Sequence, residues 1–250
     1  MTEHSPSPIG AGVTLFMPVL NEIEGMKVIL PQIQPDWYEQ ILVVDGGSRD
    51  GSLEYARGLG FDTYRQQRRG IRHAYIEAWP MIRGTLVVTL SPDGNCPADA
   101  IPELIAKLKE GYDMVIASRY YGGAKSEDDD LLTGFGNWLF TTSINVLHGG
   151  HYTDAMGIYR GYKTSLFKTL DLDREESYAT EKLLGTTMGI EPLLSMRCAK
   201  RKLRVCEIGV PEPARIGGER KLQIVRWGGA YMLQNFRELY FWRERTRRSV

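Results

Sequence analysis

The sequence predicts an α/β fold, a mostly parallel mixed sheet flanked by helices. Three observations carry this: short apolar runs recur without inside-outside alternation, each ends at a polar turn, and a stretch of helical character follows each turn. Strands buried on both faces read as continuous apolar runs, and parallel neighbours need a crossover long enough to hold a helix. The 250 residues, 42% of them hydrophobic, suffice for one large domain with a continuous core.

Taken in order, residues 13–17 are a strand ending at Pro18, and 22–34 a helix. Residues 41–44 are a strand ending at Asp45, followed by a helix at 52–58 with Asp50 as its N-cap. A helix at 71–83, a strong strand at 85–90, a helix at 98–110 and a strand at 113–118 continue the alternation. Residues 119–130 form a loop holding the acidic run Glu127-Asp128-Asp129-Asp130, and 133–147 a helix. Residues 152–162 read as a strand or hairpin, 181–188 and 190–200 as helices, 203–210 as a strand and 221–245 as a long helix. There is no internal repeat, low-complexity segment or linker.

The net charge is zero, yet residues 1–196 hold 17 Lys/Arg against 26 Asp/Glu, and residues 197–250 hold 14 against 5. A basic section of that kind suits phosphates, an anionic membrane surface or a nucleic acid, or is simply a solvated face. Cys96, Cys198 and Cys206 sit without CxxC or Cys/His spacing, which suggests neither a zinc site nor a disulfide framework and reads as buried free thiols in a reducing compartment. His4, His73, His148 and His151 share no ligand spacing. No signal peptide or apolar span of membrane length is present, so the expectation is a cytoplasmic protein that does not cross a membrane.

In sheets of this class ligands bind at the carboxyl ends of the strands. The polar clusters fall there: Pro18-Val19-Leu20-Asn21-Glu22, Asp45-Gly46-Gly47-Ser48-Arg49-Asp50-Gly51 and Ser91-Pro92-Asp93-Gly94-Asn95 each follow a strand. Glu22, Asp45 and Asp50 are placed to hydrogen-bond ribose hydroxyls or a base edge, although each alone is equally a cap or turn former. Asp93 is the metal-ligand candidate, because Mg²⁺ takes one or two carboxylates and fills its other positions with water and phosphate oxygens. The short segment Pro92-Asp93-Gly94-Asn95 also suits a plain turn.

In order and spacing, PVLNE, VVDGGSRDGS and LSPDGN resemble the three N-terminal signatures of family 2 glycosyltransferases, PxxNE, a DGGS-like run with DG(S/T), and a DxD-type metal motif. Ser118-Arg119-Tyr120, TDAMGIYRGY at 153–162 and RIGGERKL at 215–222 resemble segments of dolichol- and polyprenyl-phosphate sugar synthases, so the likeness spans residues 13–225. It implies a GT-A, Rossmann-like nucleotide-binding fold and an inverting transfer from a UDP- or GDP-type sugar. By position it assigns Pro18, Leu20, Asn21, Glu22, Asp45, Gly47, Ser48, Asp50, Arg72 and Pro92 to the nucleotide, and Asp93 to Mg²⁺ or Mn²⁺ and catalysis. Asp154 and Arg160 fall to the sugar or acceptor, and Arg119, Arg215, Arg220 and Lys221 to phosphates. Two departures stand out: Ser91 replaces the first acid of DxD, and Arg72 stands where a GKGxA segment has its lysine.

The resemblance further implies a polyprenyl-phosphate acceptor and no nucleic acid. The expected division is a flexible segment 1–12, a catalytic domain 13–225 and an amphipathic basic helix 226–250, which packs on the core, pairs two subunits or lies on the inner face of a membrane. Rival readings are a hydroxyl acceptor, a binding protein that has lost catalysis, and a nucleotidyltransferase. The last wants a GxGTR-like loop after the first strand, where this chain reads PVLNEIE.

Overall fold

The computed structural model describes residues 10–217 and 224–242. Its strands are β1 (Val13–Val19), β2 (Gln40–Asp45), β3 (Asp62–Arg65), β4 (Leu86–Thr89), β5 (Met114–Ser118), β6 (Arg160–Lys163) and β7 (Val205–Gly209). They form one sheet in the order β3-β2-β1-β4-β6-β5-β7. All ladders are parallel except the two made by β6, which runs antiparallel between β4 and β5. The helices are α1 (Ile23–Ile29), α2 (Ser52–Gly58), α3 (Ile71–Ala78), α4 (Ile101–Lys109), α5 (Leu131–His148), α6 (Leu166–Thr169), α7 (Ala179–Leu184), α8 (Glu191–Lys200) and α9 (Ile224–Tyr240).

Successive strand side chains point to opposite faces, and the core divides accordingly. Phe16, Leu42, Val44, Val87, Ile116 and Tyr162 pack with α3, α6 and α8, while Leu15, Met17, Val43, Val88 and Val115 pack with α1 and α4. Helices therefore cover both faces, as the continuous apolar runs require. Prolines shorten three of the expected helices: Pro31, Pro80 and Pro102 lie at 3-10 turns or first-turn positions, where a missing N–H costs nothing. The strand β3 escaped the sequence reading because its residues, Asp-Thr-Tyr-Arg, are polar and it sits at the sheet edge. Of the strand or hairpin expected at 152–162, only the end is strand, as part of β6 (Arg160–Lys163), which is inserted in the sheet and not folded back as a hairpin.

Helix α9 packs on α5, α7 and α8 with its polar side inward. Gln234, Asn235 and Glu238 are buried, while Leu233, Phe236, Tyr240 and Phe241 are exposed. The inward carboxylate of Glu238 meets Arg197 of α8, and both side chains are fully buried. Residues 221–223 and the basic tip Arg243, Arg245, Arg247 and Arg248 lie outside the described residues.

Candidate active site

The strand order reverses between β1 and β4: β2 and β3 follow on one side of β1, and β4 lies on the other. A reversal of that kind opens a crevice at the carboxyl edge, and a cavity of about 900 Å³ lies there. Its first wall is the β1 loop, with Pro18, Leu20, Asn21 and Glu22 lining the space, faced by Gly46, Gly47 and Arg49 from the β2 loop. Those loops are stitched together. The amides of Asn21, Glu22 and Ile23 donate to Ser48 Oγ (2.9 Å), Ser52 Oγ (3.1 Å) and Asp50 Oδ2 (3.0 Å), and Arg49 N donates to Asn21 Oδ1 (2.8 Å). Asn21 itself is left-handed, a conformation asparagine tolerates. Asp45 is fully buried and accepts from the amides of Gly47 and Ser48, forming the turn. Asp45, Ser48 and Asp50 thus hold the wall and are not part of its lining.

Asp93 lines the cavity at the end of β4, as expected for the residue after the central strand; Pro92 is buried beneath it. Helix α1 approaches this turn so closely that a Cβ at Gly25 would overlap the Pro92 carbonyl. Asp93 Oδ2 is 2.9 Å from Arg215 Nη1, which also lies 3.5 Å from Glu22 Oε1. One guanidinium therefore joins the β1 loop, the β4 loop and the segment after β7. Asn95 Oδ1 is buried and accepts no hydrogen bond among the described residues, while Asn95 N donates to Asp93 Oδ1 (3.1 Å). A carboxylate and a carboxamide oxygen on one turn are hard donors of the kind Mg²⁺ and Mn²⁺ accept. Among the described residues no cluster of three or more His, Cys, Asp or Glu could hold a metal. The residues fit an ion held mainly by its phosphate ligand.

Arg119 lines the cavity beside Glu212 (3.4 Å) and Asp129 (3.7 Å) and is gripped from below by Asp154 (Nε–Oδ2 2.6 Å, Nη2–Oδ1 3.0 Å). Burial alone would push the Asp154 carboxyl up, but the charge and hydrogen bonds of Arg119 outweigh it and hold it below the usual aspartate range. Two assignments differ here from the sequence expectation. Asp154 and Arg160 are both fully buried and outside the cavity lining. Arg160 spends its donors on Gly157 O, Ala155 O, Glu191 O and Ser195 Oγ, under the floor. Asp154 orients Arg119 and caps the amides of Met156 and Gly157.

Arg72 is a third departure. It is buried, bonded bidentately to Glu181 (2.7 Å at the shortest) and to Glu175, and stacked 4.4 Å from the Tyr178 ring, so it ties α3 to α7 rather than facing the cavity. Arg220 and Lys221 lie outside the described residues.

Several lining residues were not singled out from sequence. Arg49 and Arg69 line the cavity without a carboxylate partner among the described residues, and Trp227 and Tyr231 of α9 form its far wall. Glu191, which in the sequence resembles a family acidic position before the last strand and suits a surface carboxylate almost as well, also lines the cavity, with 5% of its surface exposed. Its signal lay in α8 itself, EPLLSMRCAK, where an acid heads a helix buried almost all round.

A cavity of this size at a strand-order reversal, walled by carboxylates, a carboxamide and guanidiniums, is where an α/β enzyme of this class carries its active site. The chain belongs to glycosyl transferase family 2, whose pattern matches residues 14–171. Similar proteins include glycosyltransferase AglJ of Haloferax volcanii, 27% identical over 92% of this chain and 73% of that one. The dolichyl-phosphate hexose transferase of the same organism is 26% identical over 87% and 90%. The undecaprenyl-phosphate 4-deoxy-4-formamido-L-arabinose transferase of Pseudomonas aeruginosa is 28% identical over 88% of this chain, which spans 63% of that protein. Among solved structures, glucosyl-3-phosphoglycerate synthase from Mycobacterium tuberculosis, in complex with Mn²⁺, UDP and phosphoglyceric acid, superposes with a TM-score of 0.60 at 17% identity, covering 95% of this chain and 84% of that one. The fold is GT-A and the protein is a glycosyltransferase.

Proposed function

We propose that the enzyme moves a sugar from a UDP- or GDP-type nucleotide onto a polyprenyl phosphate, with inversion at the anomeric carbon. The observation that carries this is Arg215, bound at once to Glu22 and Asp93 in a cavity also lined by Arg49, Arg69 and Arg119. A phosphate monoester has its second pKa near 6, so at neutral pH it presents an anionic oxygen and needs cations to hold it, not a base. That oxygen attacks the anomeric carbon opposite the leaving diphosphate; the carbon–oxygen bond to the diphosphate breaks and its electron pair leaves with the nucleotide. Guanidiniums suit both phosphates, being permanently charged and able to bond two oxygens at once. Asp93 and Asn95 would hold a Mg²⁺ or Mn²⁺ ion that neutralises charge on the leaving diphosphate. The lipid-phosphate names of the relatives support the acceptor class, and the Mn²⁺ and UDP of the solved neighbour support the donor class.

The proposed acceptor places the enzyme at a membrane surface. No described helix is long and apolar enough to cross one, so contact would be peripheral. A hydroxyl acceptor is the second reading, favoured by the Glu191 carboxylate in the wall, since an alcohol must lose a proton as it attacks. Purified protein given UDP- and GDP-sugars with Mn²⁺ should glycosylate a short-chain polyprenyl phosphate and leave the matching polyprenol untouched. Efficient transfer to the polyprenol or to a free sugar would overturn the phosphate reading.

A further inference from the structure

Two carboxylates of the cavity meet at one residue. Asn95 donates through its amide to Asp93 Oδ1 (3.1 Å) and through Nδ2 to Glu212 Oε1 (3.4 Å). Its Oδ1 accepts no hydrogen bond among the described residues, although only 9% of the residue's surface is exposed and the side chain belongs to the cavity lining with Asp93 and Glu212. Burying an acceptor without a partner costs stability, and a ligand that supplies the partner recovers the cost.

The chain around Glu212 is pinned on both sides. Ile216 N donates to Asp93 O (2.7 Å), and a Cβ at Gly94, whose φ is +99°, would overlap Ile216 Cγ1. Toward the β5 loop, Glu212 N donates to Lys125 O (3.0 Å), its carbonyl accepts from Glu127 N (2.8 Å), and Ser126 Oγ donates to Oε2. Each carboxylate also has one guanidinium against it, Arg215 on Asp93 (2.9 Å) and Arg119 on Glu212 (3.4 Å). Two acids drawn to one carboxamide repel, and two guanidiniums balance them. A divalent cation brings the same two positive charges to one point, and a diphosphate gives the displaced guanidiniums new oxygens to bond.

We propose that Glu212 is a ligand of the Mg²⁺ or Mn²⁺ ion, the second carboxylate of a site whose other protein donors are Asp93 and Asn95 Oδ1. This rests on the ion and nucleotide proposed above. The second acid thus comes from the segment after β7, 117 positions from Asn95. Mg²⁺ accepts one or two carboxylates and completes its shell with water and phosphate oxygens, so these donors leave room for the diphosphate.

The test is titration of Mn²⁺ into wild type, Glu212→Gln and Asp129→Asn with UDP or GDP present, against the same nucleotide without protein, free ion being counted by its paramagnetic resonance signal. Glutamine keeps the side-chain length and an oxygen for Ser126 and removes the charge. Glu212→Gln should weaken Mn²⁺ binding by at least about 10-fold, because even groups behind the ligands change metal affinity by about 10–100-fold. Asp129→Asn, which also removes an acid beside Arg119 (3.7 Å), should change it far less. Glu212→Cys gives a reading that general damage does not imitate: a thiolate ligand favours Zn²⁺, so the ratio of Zn²⁺ to Mn²⁺ affinity should rise above that of wild type. Wild-type Mn²⁺ affinity in Glu212→Gln, an equal loss in Asp129→Asn, or an unchanged ratio in Glu212→Cys would each overturn the inference and leave the ion to Asp93. A wild type that adds nothing to the Mn²⁺ binding of the free nucleotide would overturn the ion reading, and this inference with it.

Discussion

Asp93 and Arg215 sit 2.9 Å apart, charges of opposite sign that a donor diphosphate and its cation would separate. Asp93→Ala should therefore leave the fold intact and lower transfer by at least about 10²–10³-fold, as losing one preorganised electrostatic group does elsewhere. Near-normal turnover of that variant in Mn²⁺-replete buffer would exclude Asp93 as the ligand. Asp154 makes a different prediction, because it acts through Arg119. Asp154→Asn removes one partner of a buried pair and should cost about 3–5 kcal/mol in urea unfolding. The folded carboxyl is held below the ordinary aspartate value of about 3.9. The stability it contributes is thus fully present above that value and fades as pH falls through the lower folded pKa. The gap between wild type and variant should stay flat from neutral pH down to about 5 and narrow below 4; a gap that narrows on alkalinisation would contradict the pairing. The three loops were legible because local turn chemistry places Asp93 and Glu22 at strand ends. Which arginine faces the cavity was not: Arg72 and Glu181 are 109 positions apart, and no local pattern announces their bond.

At the scale of elements, the sequence left three partners open for the aromatic side of the C-terminal helix: the core, a second subunit or a membrane. In the structure α9 buries Gln234, Asn235 and Glu238 and exposes Phe236, Tyr240 (75%) and Phe241, so these three aromatics do not pack on the core. Amphipathicity marks two faces of a helix without saying which partner each meets, and here α8 supplies the buried cation Arg197 that makes a polar inward face tenable. Beside it α5 has no Asp, Glu, Lys or Arg in 18 residues and exposes Leu131 (96%), Phe135 and Trp138 (59%). Apolar and aromatic side chains turned outward on two adjoining helices suit an interfacial membrane contact, and we propose one here. Removing residues 237–250 would not test this cleanly, because Glu238 and Trp242 are buried and Arg197 would lose its partner. Phe135→Ser with Trp138→Ser is cleaner, since exposed substitutions shift stability by only about 0.5 kcal/mol each. The double variant should keep its Tm and lose most co-sedimentation with anionic lipid vesicles; undiminished co-sedimentation would leave these helices to pair with a second copy instead.

Across the whole molecule, the cavity draws on loops from the β1, β2, β4 and β5 ends, the α8 head and α9, brought together by a sheet whose order jumps from β4 to β6 before β5. The fold class was readable because each apolar run and turn is local. The antiparallel insertion of β6 was not, because it depends on strands about 70 positions earlier and 45 earlier in the chain, β4 and β5. A ligand that bridges those loops should stabilise the entire domain, since it binds only where all of them are in place. At 100 times its Kd such a ligand adds about 2.7 kcal/mol, which in a chain of this length corresponds to a rise in Tm of roughly 5–10 °C. UDP, GDP, CDP and dTDP compared with and without Mn²⁺ should single out one base. Arg215 must leave Asp93 for the cation to take its place, so most of the rise should require Mn²⁺, and Asp93→Ala should abolish the Mn²⁺-dependent part while keeping the remainder. Equal shifts with and without the ion would place the diphosphate on the arginines alone and make Asp93 a partner for Arg215 and nothing more.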